Sequence, residues 1–399
     1  MSVSQPIHIL HVVGKMDRGG VETWLMHLLK RMDRSRYQMD FLTLYSGSGA
    51  YDAEIQKLGS RVLPCPVHIP SWKVAREFQH LVSATGPYDI IHCHVGTWSG
   101  LVLRLAARAG ISVRIVHSHN DTRHRDPNER WWHHVYNTLA GPLIDRYATH
   151  GFAVSEQAAL AMFGYQWTTD PRWSIIYSAI DLGPFYGAVD RTAMRDLWHL
   201  PADAIVIGHV GRFDPQKNHR FLLEIAQRVL QREPRAYFVL VGDGRLRPAM
   251  ERNAYTLGLR ERVRFLGVQT GVAQLMRGLM DVFLLPSLFE GLGLVALEAQ
   301  AAGLPLVLAD TIPAEVECIH ELVNRLSLSQ SVDEWASACL RAVRPYSSVH
   351  ADRCVAQMET TPFSISINMR ALMEAYEKAC ERVDMEYSQR KPNERTLPD

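Results

Sequence analysis

Two carboxylates, Glu290 and Glu298, stand in the run "SLFEGLGLVALEAQAAGLP", Ser287 to Pro305, which is otherwise apolar and rich in glycine. A carboxylate left uncompensated in apolar surroundings is costly, so the pair asks for a partner. Hydroxyls of a sugar or a ribose would serve, because carboxylates are strong hydrogen-bond acceptors. The strand-like "DVFLLPS" comes first, and a helix is expected from about Leu294 to Ala302. Gly291 and Gly293 would leave free N–H groups at that helix start, a ready anion site. An eight-residue step turns about 80° along a regular helix, a gap that loop geometry can close. The alternative, two ordinary exposed glutamates, fits poorly with Leu292, Val295 and Leu297 alongside.

A second stretch, "GHVGRFDPQKNHRFLLEIA", ends a strand at Val210 and continues through Gly211, Arg212, a turn at Asp214-Pro215, and Lys217 at a helix start. Arg offers a planar fork of donors and Lys a point charge, and both suit a diphosphate. In "VVGKMDRGGVETWL" a strand ends at Val13, and Gly19 and Gly20 precede a helix that opens near Val21. Paired glycines allow close backbone approach to an anion; a plain tight turn is the alternative. The spacing is not GxGxxG and "FLTLY" ends without an acidic residue, which counts against dinucleotide binding. His92 and His94, and His117 and His119, form two pairs whose members share a sheet face by alternation. Zinc is one reading. No carboxylate or thiolate spacing completes a known site, so no metal is expected, and His92 and His94 read as satisfied strand-end histidines. His119, followed by Asn120 and Asp121, is the best placed to reach a ligand.

These residues need strand ends to carry them. "IHILHVV", "QMDFLTLY", "YDIIHCH", "VRIVHSH" and "HGFAVS" read as strands, separated by helical patterns such as "VETWLMHLLKRM". The pattern restarts with "AIVIGHVGRF", "AYFVLVGDG", "RVRFLGV", "DVFLLPS" and "LPLVLAD". Apolar strands alternating with helices imply parallel sheets covered on both faces, here two doubly wound α/β domains. The expected domains are 1–183 and 184–362, then a helix over 363–385 packing back on the first domain and a flexible tail over 386–399. Ligands of such sheets bind outside the carboxyl ends of the strands, so the two domains would face each other across a cleft.

Length and charge agree. The 399 residues suit two or three domains, and a net charge of +1 argues against nucleic acid as the main partner. The six cysteines have no CxxC spacing, which suits a reducing compartment. "MSVSQPIHILHVVG" lacks the features of a secretory signal, and no apolar run approaches the roughly 20 residues of a spanning helix.

With these residues in place, the chain resembles the retaining, GT-B-fold glycosyltransferases of family 4. The resemblance runs from about Ile7 to the final helix. It rests on Glu290-x7-Glu298 together with "GRFDPQKN", "VGDG", "FLG", "PSLFEGLGL", "DRGGVE" and "YDIIHCH". "HSHN" and "LADTIPAEV" look closest to bacterial enzymes of capsular or extracellular polysaccharide synthesis. The resemblance implies a GT-B fold of two Rossmann-like domains and a metal-independent, retaining hexosyltransferase without a cofactor. It would move a sugar from a nucleotide-diphosphate sugar to a glycan or polyprenyl-linked acceptor in the cytoplasm.

The resemblance also implies roles. Arg212 and Lys217 would hold the leaving diphosphate, Glu298 the ribose, and Glu290 the sugar hydroxyls beside the backbone of Gly291, Leu292, Gly293 and Leu294. His119 would sit over the donor sugar, with Gly19 and Gly20 near the phosphates or acceptor and Val268 near the base. Tyr177-Ser178-Ala179 stands where the family often has Asn-Gly, and "TIPAEVE" replaces a glycine-rich loop, which touches acceptor geometry. A nucleotide-sugar 2-epimerase and a non-catalytic sugar-nucleotide-binding scaffold are the competing readings. Lys30, Arg31, Arg34 and Arg36, and "RHRDPNERWWHHVY" with Trp131 and Trp132, admit peripheral contact with an anionic inner-membrane surface or simple solvation.

Overall fold

The computed structural model describes residues 5–65, 72–121, 141–345 and 347–390. The chain divides into two compact units, one of Met1–Ser178 with Asn368–Asp399 and one of Ala179–Ile367. Trp131, Trp132 and the last nine residues lie outside the described residues.

The first unit is built on a seven-stranded parallel sheet: β1 (Ile7–Val13), β2 (Tyr37–Thr43), β3 (Val62–Pro64), β4 (Ile90–Cys93), β5 (Val113–Ser118), β6 (His150–Ala153) and β7 (Trp173–Ile175). Their order across the sheet is β3-β2-β1-β4-β5-β6-β7. The second unit has six strands: β8 (Ile205–Val210), β9 (Ala236–Val241), β10 (Val263–Gly267), β11 (Val282–Leu285), β12 (Leu306–Ala309) and β13 (Val323–Leu326). Their order is β10-β9-β8-β11-β12-β13, again all parallel. The central strands are almost wholly buried, as expected where helices cover both faces.

Both sheets reverse direction at one place. In the first unit the chain leaves β1 toward β2 on one side and later inserts β4 on the other; in the second, β8 is flanked by β9 and β11. Such switch points open a crevice between the loops that follow the two central strands. In the second unit the opposite ends of those strands are pinned by Asp281. Its carboxylate accepts from Arg191 at 2.5 Å, from Arg195 at 2.9 and 3.0 Å, and from the Val206 amide at 2.8 Å. This fixes β8 against β11.

The edge strands β3 and β13 escaped the sequence reading. "VLP" is three residues ending in proline, and "VNRL" interrupts its apolar positions with Asn324 and Arg325, so neither stands out as a buried run. The final helix runs from Ile365 to Arg390, past the residue 385 expected from the apolar pattern. Within the first unit, Trp24 Nε1 donates to Asn368 Oδ1 at 2.8 Å, Asn368 Nδ2 donates to the Tyr177 carbonyl at 2.7 Å, and Tyr376 meets His92 at 2.6 Å.

The helix Gly20–Arg31 buries Trp24, Leu25, Met26, Leu28 and Leu29. Its apolar face is therefore spent on the core. Lys30 pairs with Glu54 at 2.8 Å and Arg36 with Glu377, so two of the four cations singled out for membrane contact already have acidic partners. Among the described residues no helix is long and apolar enough to cross a membrane.

Candidate functional site

In the second unit, the loop after β8 and the loop after β11 meet at the switch point. The first makes a short turn, Pro215–Lys217, and then starts the helix His219–Arg232 through Asn218, which sits in the left-handed region at φ 54°. The second leads through Gly293, at φ 90°, into the helix Leu294–Ala301. The loops are stitched together. The Leu288 amide donates to the Gln216 carbonyl at 2.8 Å, and Asn218 Nδ2 donates to the Pro286 carbonyl at 3.1 Å.

At the centre of this stitching, Lys217 Nζ lies 2.6 Å from Glu290 Oε1 and Gln216 Nε2 donates to Glu290 Oε2 at 3.1 Å. Glu290 is buried, and its charge is compensated from within the chain. The sequence reading had both glutamates waiting for a ligand; the structure gives Glu290 an intramolecular partner. Glu298 differs. Burial pushes its carboxyl up to about 7, against the opposing pull of the Lys217 charge. One lysine thus bears on both carboxylates. Arg212 is tied only lightly, its Nε donating to Asp214 Oδ2 at 2.8 Å, with 74% of its side chain exposed and its remaining donors turned to solvent.

Glycines let these loops pack backbone against backbone. A Cβ on Gly242, at φ 132°, would collide with the Gly211 carbonyl, and one on Gly244 would come within 2.6 Å of the Phe213 carbonyl. The loop after β9 is thereby locked to the arginine- and lysine-bearing loop. Gly211 in turn leaves room for its neighbours: a Cβ there would lie 2.9 Å from His209 Nε2. His209 Nδ1 faces the Leu284 carbonyl at 2.9 Å, and burial holds the ring neutral. Val268 follows β10 at the sheet edge and is half exposed.

In the first unit the strands beside the switch point carry histidines. His11 on β1 is paired in register with His92 on β4, so the two share a face. His11 Nδ1 lies 2.9 Å from His94 Nε2, and His94 Nδ1 lies 2.8 Å from His119 Nε2. His117 Nε2 faces the Ile176 carbonyl at 2.9 Å. Trp24 closes over the group, its ring centroid 5.5 Å from that of His117. Burial keeps His11, His92, His94, His117 and His119 neutral, their pKa values well below the ordinary histidine value. Among the described residues, two trios, His11–His92–His94 and His94–His117–His119, each bring one ligand atom per residue within 4.8 Å of the others.

The structure thus brings together Lys217, Glu290, Glu298 and the start of the helix Leu294–Ala301 in one unit, with Arg212 at the same strand end. His119, Gly19 and Gly20 belong to the other unit. Gly19 caps the helix Gly20–Arg31 in an extended conformation at φ −131°, so neither glycine is there for a left-handed turn. The expectation that His92 is an ordinary satisfied histidine needs correcting. The Nε2 atoms of His92 and His11 are buried without a hydrogen-bond partner among the described residues. The sequence reading missed His11 and Gln216. His11 lies mid-strand, and only the register shows that it faces His92; Gln216 stands beside Lys217 in "DPQKN" but lacks charge to draw notice.

The family profile described as "Glycosyl transferases group 1" matches residues 204–344, and that described as "Glycosyl transferase 4-like domain" matches residues 19–178. EpsF of Bacillus subtilis (strain 168), provisionally named a glycosyltransferase, is 37% identical over 84% of this chain and 87% of its own. An Escherichia coli UDP-Gal:alpha-D-GlcNAc-diphosphoundecaprenol alpha-1,3-galactosyltransferase is 28% identical over 64% of this chain and 66% of its own. Among solved structures, Anabaena Alr3699/HepE in complex with UDP and glucose superposes with a TM-score of 0.76 at 20% identity, covering 93% of this chain and 100% of the other. WaaG, a glycosyltransferase involved in lipopolysaccharide biosynthesis, gives 0.68 at 15% identity, over 91% of this chain and 98% of its own. Two parallel sheets with these strand orders, the stitched loops around Lys217 and Glu290, and these relatives lead to one assignment: the chain is a GT-B-fold glycosyltransferase of group 1.

Proposed function

We propose that this glycosyltransferase moves a hexose, with retention of configuration, from a nucleotide-diphosphate sugar to a glycan or polyprenyl-diphosphate-linked acceptor in polysaccharide assembly. The observation that carries the reading is the junction of Lys217, Arg212, Glu290 and the helix Leu294–Ala301 at one switch point. Transfer builds negative charge on the departing diphosphate. Arg212, Lys217 and the helix N-terminus supply fixed positive charge and donors to meet it, so stabilisation grows along the reaction. Glu290 accepts sugar hydroxyls, Glu298 the ribose hydroxyls, and the backbone of Gly291 to Leu294 lies beside the phosphates. His119, Gly19 and Gly20 are assigned to the sugar and phosphates, and Val268 to the base, by family likeness. A uridine nucleotide is favoured because HepE is described with UDP and the E. coli relative is named for UDP-Gal. That relative's name also specifies a diphosphoundecaprenol acceptor.

The test is a panel of nucleotide sugars screened by thermal shift, followed by mass spectrometry of products with polyprenyl-diphosphate-linked sugars. A UDP-hexose that stabilises the protein and is transferred supports the reading. Isomerisation of the donor without acceptor would favour an epimerase. Tight donor binding with no turnover on any acceptor would favour a non-catalytic sugar-nucleotide binder.

A further inference from the structure

The histidines at the first unit's switch point hold more ligand atoms than the glycosyl-transfer reading uses. We propose that His11, His92 and His94 form a binding site for one divalent transition-metal ion of the zinc class, ligated by neutral imidazole nitrogens.

Geometry carries the inference. Each of the three offers a ring nitrogen within 4.8 Å of the other two. Their ring centroids are 5.2 Å apart for His11–His92, 5.2 Å for His11–His94 and 4.2 Å for His92–His94. Imidazoles around a tetrahedral ion with metal–nitrogen bonds of 2.0–2.1 Å have centroids about 5.2 Å apart and nitrogens about 3.3 Å apart. His11 Nδ1 and His94 Nε2, at 2.9 Å, are already close to that edge. The His92 and His94 centroids, 4.2 Å apart, would part by about 1 Å to admit the ion.

The hydrogen bonding agrees. His11 Nε2 and His92 Nε2 are buried with no partner among the described residues, although both side chains are fully enclosed. Leaving such an atom unpaired is costly, and an ion ligated by His11 Nδ1, His94 Nε2 and His92 Nε2 would give the His92 lone pair a use. His92 faces the Tyr376 hydroxyl through Nδ1 at 2.6 Å. With the ring proton on Nδ1 donated to that oxygen, Nε2 presents its lone pair, the arrangement in which a metal-bound histidine is held by an outer hydrogen bond. Each neutral ring keeps its one proton on the nitrogen away from the ion, so binding moves the proton shared by His11 Nδ1 and His94 Nε2 to the far nitrogen of the ring that holds it, with no change in net protonation. Three imidazoles are a familiar ligand set for zinc, with a fourth position left for water.

The competing trio, His94–His117–His119, shares His94, so one ion takes one trio or the other. His117 already spends Nε2 on the Ile176 carbonyl and His119 belongs to the proposed sugar site. The first trio offers an unpartnered ligand nitrogen, His92 Nε2, on a ring that Tyr376 already orients, and the second offers His117 Nδ1 on a ring whose other nitrogen faces a carbonyl.

The experiment uses the full chain without a histidine tag, stripped by chelator and loaded with zinc or cobalt(II). The expected result is one equivalent retained through gel filtration and a visible cobalt spectrum of four-coordinate type. His11→Gln and His92→Gln should each weaken retention by at least about tenfold. X-ray absorption at the zinc edge needs no variant and should report three imidazole ligands. Failure of the wild-type chain to retain metal, or fewer than three imidazoles at the edge, overturns the proposal. So does retention that survives both substitutions and is lost in His117→Gln.

Discussion

Lys217 and Glu290 are joined at 2.6 Å across the two switch-point loops of the second unit, and Gln216 holds the other carboxylate oxygen. The pair does two jobs, tying β8's loop to β11's and presenting charge to a ligand. The two can be separated. Lys217→Ala leaves a buried carboxylate with only an amide for company and should cost about 3 kcal/mol in urea unfolding. The double variant Lys217→Met with Glu290→Gln should recover stability to within about 1 kcal/mol of wild type, because no buried charge is left unpaired. Its kcat should nonetheless stay at least about a hundredfold down. A double variant that transfers sugar normally would remove this pair from the chemistry.

Glu298 gives a pH test. Its folded carboxyl is raised to about 7 from an ordinary 4.5. Between those values the folded chain binds more protons than the unfolded chain, so this group's contribution to stability is full below about 4.5 and is lost as pH rises through about 7. Glu298→Gln should match wild type near pH 4.5 and be the more stable protein at pH 8, in thermal melts across that range. Donor affinity should move the other way, weakening at least about tenfold in the variant, since an amide is a poorer acceptor for ribose hydroxyls than a carboxylate.

Gly242 reports on loop packing. At φ 132°, a Cβ would strain the backbone and also strike the Gly211 carbonyl. Gly242→Ala should destabilise by about 3 kcal/mol or more and raise the donor's Kd, because the Arg212 loop must move. Gly258→Ala is the control. Its φ of 74° carries strain, yet nothing lies within 4 Å of the new Cβ, and a loss of about 1–2 kcal/mol with unchanged donor binding is expected.

Asn368 is the hinge of a short polar chain, accepting from Trp24 at 2.8 Å and donating to the Tyr177 carbonyl at 2.7 Å. Asn368→Ala strands a buried indole N–H and a carbonyl. A loss of about 2 kcal/mol follows, read by chemical denaturation, with faster amide exchange in the helix Gly20–Arg31. Unchanged exchange there would mean that Trp24 is held by packing alone.

Most of the architecture was legible because buried parallel strands announce themselves. Runs such as "AYFVLVGDG" and "DVFLLPS" are apolar throughout and end in turn residues. The edge strands β3 and β13 were not legible, since they need neither length nor full burial. At the site, charge and glycine spacing picked out Arg212, Lys217, Glu290 and Glu298. What spacing could not show is which charges neutralise each other. Glu290's bond to Lys217 depends on two loops 73 residues apart in the chain. His11 was hidden for the same reason. Its neighbour His92 is 81 positions on, and only strand register brings them together.

The backbone enters the second unit at Ala179 and leaves it at Ile367, and these two passages are hydrogen-bonded to one another, the Ile180 amide to the Phe363 carbonyl at 3.0 Å and the Ile365 amide to the Ile180 carbonyl at 3.1 Å. The second unit is in effect a contiguous insertion into a first unit whose two pieces are 189 residues apart in the chain. On the ribosome the half begun first is therefore finished last. The nascent seven-stranded sheet must wait, its Trp24 and His92 unsealed, until the residues carrying Asn368 and Tyr376 emerge. By then the inserted half has been made in full. Domains generally fold as units during synthesis, so the unsealed interval, rather than either finished half, is where this chain most needs a chaperone's protection.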